Sequence, residues 1–285
     1  MCGDDARLFF DGVAFGIALP SSVPTFKLGR KAPKALGPHL KFGHFLRGDA
    51  PPPPPEHGNW VKTGSPGIYR AMADIEGNDQ YGDCTCAAAA HMLAVFCSNT
   101  ESEWLIPVRS QTLAFYARVT DPPFDPATGV NDNGADEVTV LNVWAKDGFY
   151  GNGIGKIAAW ATVDAANAEE VRQAIYMFGN VYFGVPMPDA WIHPFPSASG
   201  FVWGNAGDPN PANGHAFPGY GYNAEGVFID TWGMFGTVTW EALAKYCAPS
   251  AGGELYTVLS PDWQAKAPNG LASAELAAYI KTLFG

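Results

Sequence analysis

Three observations predict an α+β fold. An Ala-rich segment, Cys84–Cys97, is apolar nearly all round and has the length of a buried helix. Two more helical segments follow it, over 136–146 and 168–178. Short β-prone runs broken by Gly, Pro and Asn then fill the second half, and helices gathered ahead of strands make an α+β pattern.

The elements follow in chain order. Residues 1–50 show no sustained helical or strand period and are expected to be an extended arm held by docking. The run Pro51–Pro55 cannot enter a helix or a sheet interior, so 51–58 is expected to be a polyproline linker. The body is expected over 59–262. Asp83 is a candidate N-cap for the Cys84–Cys97 helix, Asp132-Asn-Gly announces the second helix, and Asn167 with Glu169 and Glu170 opens the third. Strands are expected at 181–185, 216–222, 227–230, 237–240 and 254–259, forming an antiparallel sheet. An amphipathic helix over 273–283 is expected to close the chain, so that 263–285 is its C-terminal piece.

Composition narrows the function classes. Hydrophobic residues make up 47% and charged residues 16% of 285, against a usual charged share of about 25%, which argues for a well-buried body and against disorder. Net charge is −11, but residues 1–48 hold seven Lys or Arg against Asp4, Asp5 and Asp11, a net of +4 that leaves −15 elsewhere. An acidic body repels phosphates, which argues against nucleic acid as a partner. Residues 23–47 carry six cations and no anion, the pattern of an arm docked on its own body or on an acidic partner. The longest apolar stretch, Ala87–Phe96, falls short of the ~20 residues of a membrane span. The run Leu8–Leu19 is interrupted by Asp11 and preceded by Asp4 and Asp5, unlike a signal peptide, so cytoplasmic synthesis is expected. Five cysteines, an odd and sparse set, fit a compartment where thiols stay reduced.

Cys84 opens the central helix, where a helix N-terminus and a nearby imidazolium lower a thiol pKa. His215 begins the run Gly214-His-Ala-Phe-Pro-Gly, and Asp230 ends Val227-Phe-Ile-Asp. Two adjacent antiparallel strands are expected to bring that His and Asp within hydrogen-bond reach. They would supply a base and its orienting carboxylate for a cysteine nucleophile.

Over roughly 78–260 the sequence resembles the papain-like cysteine peptidases. The resemblance rests on Asn78-Asp-Gln-Tyr-Gly-Asp-Cys84-Thr, Gly214-His-Ala and Asp230-Thr-Trp-Gly, in that order and spacing, with Ala168-Glu-Glu-Val-Arg-Gln-Ala-Ile and Gly179-Asn-Val-Tyr-Phe-Gly-Val between them. It implies a central helix beside an antiparallel sheet or barrel, with Cys84 as nucleophile, His215 as general base and then acid, and Asp230 as orienter. Trp232 would shield the His215–Asp230 bond. The family's oxyanion Gln falls at Asn78, with Gln80 as an alternative donor, and losing one such donor costs roughly 10²–10³ in rate. The Gly-Asp-Cys-Thr form and the ending Tyr256-Thr-Val-Leu-Ser-Pro-Asp-Trp are most similar to papain-like proteins of tailed bacteriophages. No cleavable inhibitory pro-region stands out.

The string Cys84, Cys86, His91 lacks the spacing and second ligand pair of a zinc site, and Gly129–Val140 fails as a calcium loop at both ends, so no metal or cofactor is expected. Cys86 is expected in the core. The aromatics over 191–203 suit a cleft wall or plain loop packing equally. Two functions remain: a cysteine peptidase acting on peptides or proteins through an acyl-thioester, and a non-catalytic virion component placed among virion proteins by residues 1–48. An arm lying over Cys84 would favour the first as an inhibitory segment; an arm running onto other chains would favour the second.

Overall fold

Why this chain folds around one helix is visible in its side chains: every residue from Cys84 to Ser98 is buried, so the segment has no polar face to leave in water. The computed structural model describes residues 26–36, 39–45, 51–271 and 274, 278 and 281. Of the arm expected over 1–50, residues 1–25, 37–38 and 46–50 lie outside the described residues, as does most of the expected helix over 273–283.

The elements run α1 (Phe42–Phe45), β1 (Gly58–Asn59), α2 (Trp60–Thr63), α3 (Ile68–Met72), α4 (Cys84–Asn99), α5 (Arg109–Val119), α6 (Glu137–Asp147), β2 (Ala159–Thr162), α7 (Ala168–Phe178), β3 (Val181–Pro186), β4 (Phe201–Trp203), β5 (Gly214–Tyr222), β6 (Gly226–Thr231), β7 (Met234–Thr239), α8 (Trp240–Tyr246), β8 (Glu254–Leu259) and α9 (Pro261–Lys266). The fold is α+β, as expected. Among the described residues the sheet order is β2-β8-β3-β5-β6-β7-β4, with β1 paired to β5. The five expected strands pair antiparallel, and the one parallel pair of the described strands, β4 with β7, comes from β4, a strand that was not expected.

Caps fix the helix starts where polar side chains were expected to act. Asp136 accepts from the Thr139 N–H at 2.9 Å, and Asn167 accepts from the Glu170 N–H at 3.2 Å. Asp83 stands at the N-cap of α4 as expected, but its side chain makes no cap hydrogen bond; it is fully buried, and burial holds its carboxyl well above the usual carboxylate range. Helix α5 was not expected, because its apolar positions share the helix with Arg109, Ser110, Gln111 and Arg118 and give no clear face.

The sheet separates two apolar clusters. On one side Cys84, Cys86, Phe96, Phe115 and Trp144 pack with Tyr182, Ala216 and Tyr256. On the other, Phe178, Phe183, Phe217, Trp203 and Trp232 form the second cluster. Trp191 and Trp203 stack at 4.7 Å and are 3% and 4% exposed, so these two pack the core, whereas Phe195, half-buried, meets Phe26 of the arm edge-on at 5.5 Å.

The described part of the arm, 26–36 and 39–45, lies on this body. Thr162 N–H donates to the Leu40 carbonyl at 3.0 Å beside a Lys41–Thr162 bridge, and Phe42, fully buried, packs on Phe178. Farther along, β1 pairs Gly58 and Asn59 with Tyr222 and Gly221, which ties the end of the proline linker to β5.

Candidate active site

Cys84 begins α4, and the strand beside it is β5, which carries His215 near its start. Between the walls runs the arm. Lys27 N–H donates to the Asn78 carbonyl (2.9 Å), and Gly29 O accepts from Ala135 N–H (3.0 Å). Arg30 N–H donates to the Gly214 carbonyl (3.2 Å), and Lys31 N–H to the Ala135 carbonyl (2.9 Å). Arg30 and Ala135 form a parallel bridge. The segment is thus hydrogen-bonded to both walls, and the Gly29 N–H donates to the Cys84 sulfur, as does the N–H of Ala216. So close a crossing needs bare backbone: a Cβ at Gly29 would collide with the Gly82 carbonyl, two residues before Cys84.

The electrostatics match a covered cleft. Cys84 is 1% exposed, and burial pushes its thiol up to about 12, the reverse of the lowered pKa expected at a helix N-terminus. His215 is 1% exposed, and burial lowers it to about 3, so the imidazole is neutral. Neither group carries charge at neutral pH.

The expected triad is only partly assembled. His215 Nε2 lies 2.7 Å from Thr231 Oγ1, while its Nδ1 is buried and has no hydrogen-bond partner among the described residues. The Cys84 sulfur therefore makes no hydrogen bond to His215; it reaches the backbone of the next residue, Ala216. Asp230 is not the partner of His215. Its Oδ2 lies 2.7 Å from His91 Nδ1, and both side chains are buried. The reason is strand alternation. The register Gly219↔Ile229, continued along both strands, puts Thr231 on the face of His215 and Asp230 on the other, where α4 lies with His91. His91 was missed as a partner, although its place seven residues after Cys84 puts it on the same helix face.

Trp232 does cover the imidazole, stacking on it at 4.4 Å and 20°, and Phe26 of the arm stacks on Trp232 at 4.8 Å and 8°. Trp232 has φ 53, a left-handed value rare for a bulky residue. Asn78 lines the same small cavity as Cys84, but its Nδ2 donates to the Tyr81 carbonyl at 3.0 Å. Gln80 is exposed, so of the two expected oxyanion donors only Asn78 is near the thiol. Cys86 packs in the core, and His91 is engaged by Asp230 and by the Asp74 carbonyl, 3.0 Å from its Nε2.

Neither a protein-family model nor a curated protein matches the sequence. Solved structures do. Xylellain, a cysteine protease from Xylella fastidiosa, is similar over 84% of this chain and 99% of its own, at 12% identity and a TM-score of 0.58. The digestive procathepsin L2 proteinase of the Tenebrio molitor larval midgut is similar over 85% and 81%, at 12% identity and a TM-score of 0.57. The proform of Amb a 11, a cysteine protease and ragweed pollen allergen, is similar over 84% and 70%, at 14% identity and a TM-score of 0.51. This chain therefore has the papain-like cysteine protease fold.

Proposed function

We propose that the protein is a cysteine peptidase held in a closed, resting form by its own arm. One observation carries the reading: the cleft already holds an extended polypeptide, residues 27–31, hydrogen-bonded to both walls with one of its N–H groups on the Cys84 sulfur. A groove of that kind binds peptide backbone regardless of sequence and sets a carbonyl beside a thiol. Cys84 is the nucleophile, and His215, with Nδ1 unengaged and Nε2 on Thr231, is the base. Displacing the arm admits water, lowers the thiol pKa and lets Cys84 and His215 approach. Arg30 and its neighbours serve the body rather than a second chain, so the described arm favours inhibition over assembly. Placement in a bacteriophage virion through residues 1–48 is the assembly reading, which these contacts of the described arm with its own body do not favour.

A non-catalytic binding module is the second reading, favoured by the absence of a Cys84–His215 hydrogen bond. One experiment divides the two. A Gly29→Val chain, whose arm cannot seat against Gly82, is assayed for hydrolysis of an unfolded protein and for labelling by a thiol-directed epoxide. Hydrolysis lost in Gly29→Val/Cys84→Ala supports the peptidase. An opened chain with no Cys84-dependent turnover makes the fold a binding scaffold.

A further inference from the structure

Arg30 is the arm residue next to Gly29, and its guanidinium enters a pocket off the cleft. Its Nε donates to Glu137 Oε1 at 2.8 Å, its Nη2 to Glu254 Oε1 at 2.9 Å and its Nη1 to the Gly252 carbonyl at 3.1 Å. The three side chains are 3%, 0% and 9% exposed. Glu254 is held from behind by the Tyr256 hydroxyl, at 2.5 Å from Oε2. The floor is bare backbone: a Cβ at Gly184 would overlap both Glu137 and the Arg30 side chain.

A latch alone would be served by one carboxylate. Here two face one cation, and Glu137 Oε2, fully buried, has no hydrogen-bond partner among the described residues. The pocket thus carries a surplus of acceptors; burial, and Glu254 beside it, hold the Glu137 carboxyl well above the usual carboxylate range even against Arg30, so emptying the pocket would leave two carboxyl groups together out of water with no cation to offset either. Planar donors in a fork match this set; a lone ammonium meets fewer of its acceptors and an apolar side chain meets none.

We infer that this pocket is a specificity site for arginine. Peptides that enter the cleft when the arm leaves are selected for a basic residue, arginine above lysine, one position from the residue lying over Cys84. Arg30 occupies the place of that substrate side chain. The inference rests on the proposed reading that the cleft takes a peptide, but it needs no turnover.

The test reads arm seating and peptide binding in the full chain. Alkylation of Cys84 is followed by mass for wild type, Arg30→Lys and Arg30→Met, the last an unbranched side chain without charge, two atoms shorter than arginine. Cys86, Cys97 and Cys247 are buried, so a chain that unfolded would label at all of them and is recognised at once. The expected result is Cys84 labelling at least tenfold faster in Arg30→Met than in wild type, with Arg30→Lys between. Adding Glu137→Gln and Glu254→Gln to Arg30→Met should slow labelling again, because the neutral pocket then accepts the neutral side chain. In Arg30→Met/Cys84→Ala, an arm peptide of residues 26–34 should bind at least tenfold more tightly than the same peptide with methionine at position 30. Equal labelling of the Lys and Met variants, or equal binding of the two peptides, overturns the inference. Arginine-selective binding without hydrolysis would leave it standing while the peptidase reading falls.

Discussion

The imidazole of His91 and the carboxylate of Asp230 meet at 2.7 Å in the buried seam between α4 and β6. The pair joins the central helix to the sheet, and it takes Asp230 away from the role that its neighbours Thr231, Trp232 and Gly233 imply. Removing one member leaves a buried charge without its partner, which costs about 3–5 kcal/mol. Asp230→Asn should therefore lower the stability measured by denaturant unfolding by that order. In a chain opened by Gly29→Val it should leave hydrolysis per folded molecule nearly unchanged. A large loss of turnover at unchanged stability would return Asp230 to the catalytic group.

The same pair makes stability depend on pH in a defined direction. Burial opposes the charged imidazole, but Asp230 and Glu76 outweigh it and raise His91 to about 9 from its ordinary value of 6.5. A group raised on folding stabilises fully below its unfolded pKa and loses that contribution as pH climbs through its folded pKa, so the loss falls between 6.5 and 9. It amounts to at most about 3 kcal/mol, less the cost of keeping Asp230 ionised in the same site. Thermal unfolding of wild type should show a falling Tm across that window, and His91→Leu/Asp230→Leu should flatten it. A wild-type Tm that is level over the window would mean His91 is neutral in the folded chain.

Thr231 carries the hydrogen bond to His215 that Asp230 was expected to make. Thr231→Val keeps the shape and deletes the hydroxyl, leaving a buried ring nitrogen unpaired at a cost of about 1–3 kcal/mol. Because the base step is worth roughly 10²–10⁴, hydrolysis in the opened chain should drop roughly tenfold or more, and Thr231→Ser should restore most of it. Equal activity in the Val and Ser variants would remove Thr231 from the proposed machinery.

What the sequence disclosed and what it hid follow from the range of each signal. Helix α4 was legible because an unbroken apolar run needs no tertiary information, and β8 because its β-prone residues sit between Gly253 and Pro261. Cys84, His215 and Trp232 were legible from their motifs. The partner of His215 was not, since one residue of register moves a side chain to the opposite face and neither periodicity nor motif fixes register to that accuracy. The thiol pKa was misjudged for a different reason: the helix N-terminus is local, whereas the burial that overrides it is tertiary, in a site that the arm backbone at Gly29 reaches from 55 positions earlier in the chain. Arg30 read as one cation among six, because its acceptors Glu137 and Glu254 lie 107 and 224 residues away.

That distant cover makes the last prediction, on Cys84 itself. With the arm seated, the thiol is pushed up to about 12, so alkylation should stay slow across the neutral range and rise only in strong alkali. With Gly29→Val the cleft is open to water, the burial penalty is relieved, and the thiol regains the influence of the α4 N-terminus. The inflection of alkylation rate against pH should then move down to about 8.5 or below. Neutral His215 adds to the shift, because its buried ring, held at about 3, becomes free to take a proton once solvated. Gly29→Val/His215→Phe should therefore titrate higher than Gly29→Val alone. If opening the arm leaves the inflection where it is in wild type, burial by the arm is not what holds the thiol protonated, and the arm is no inhibitor of this site.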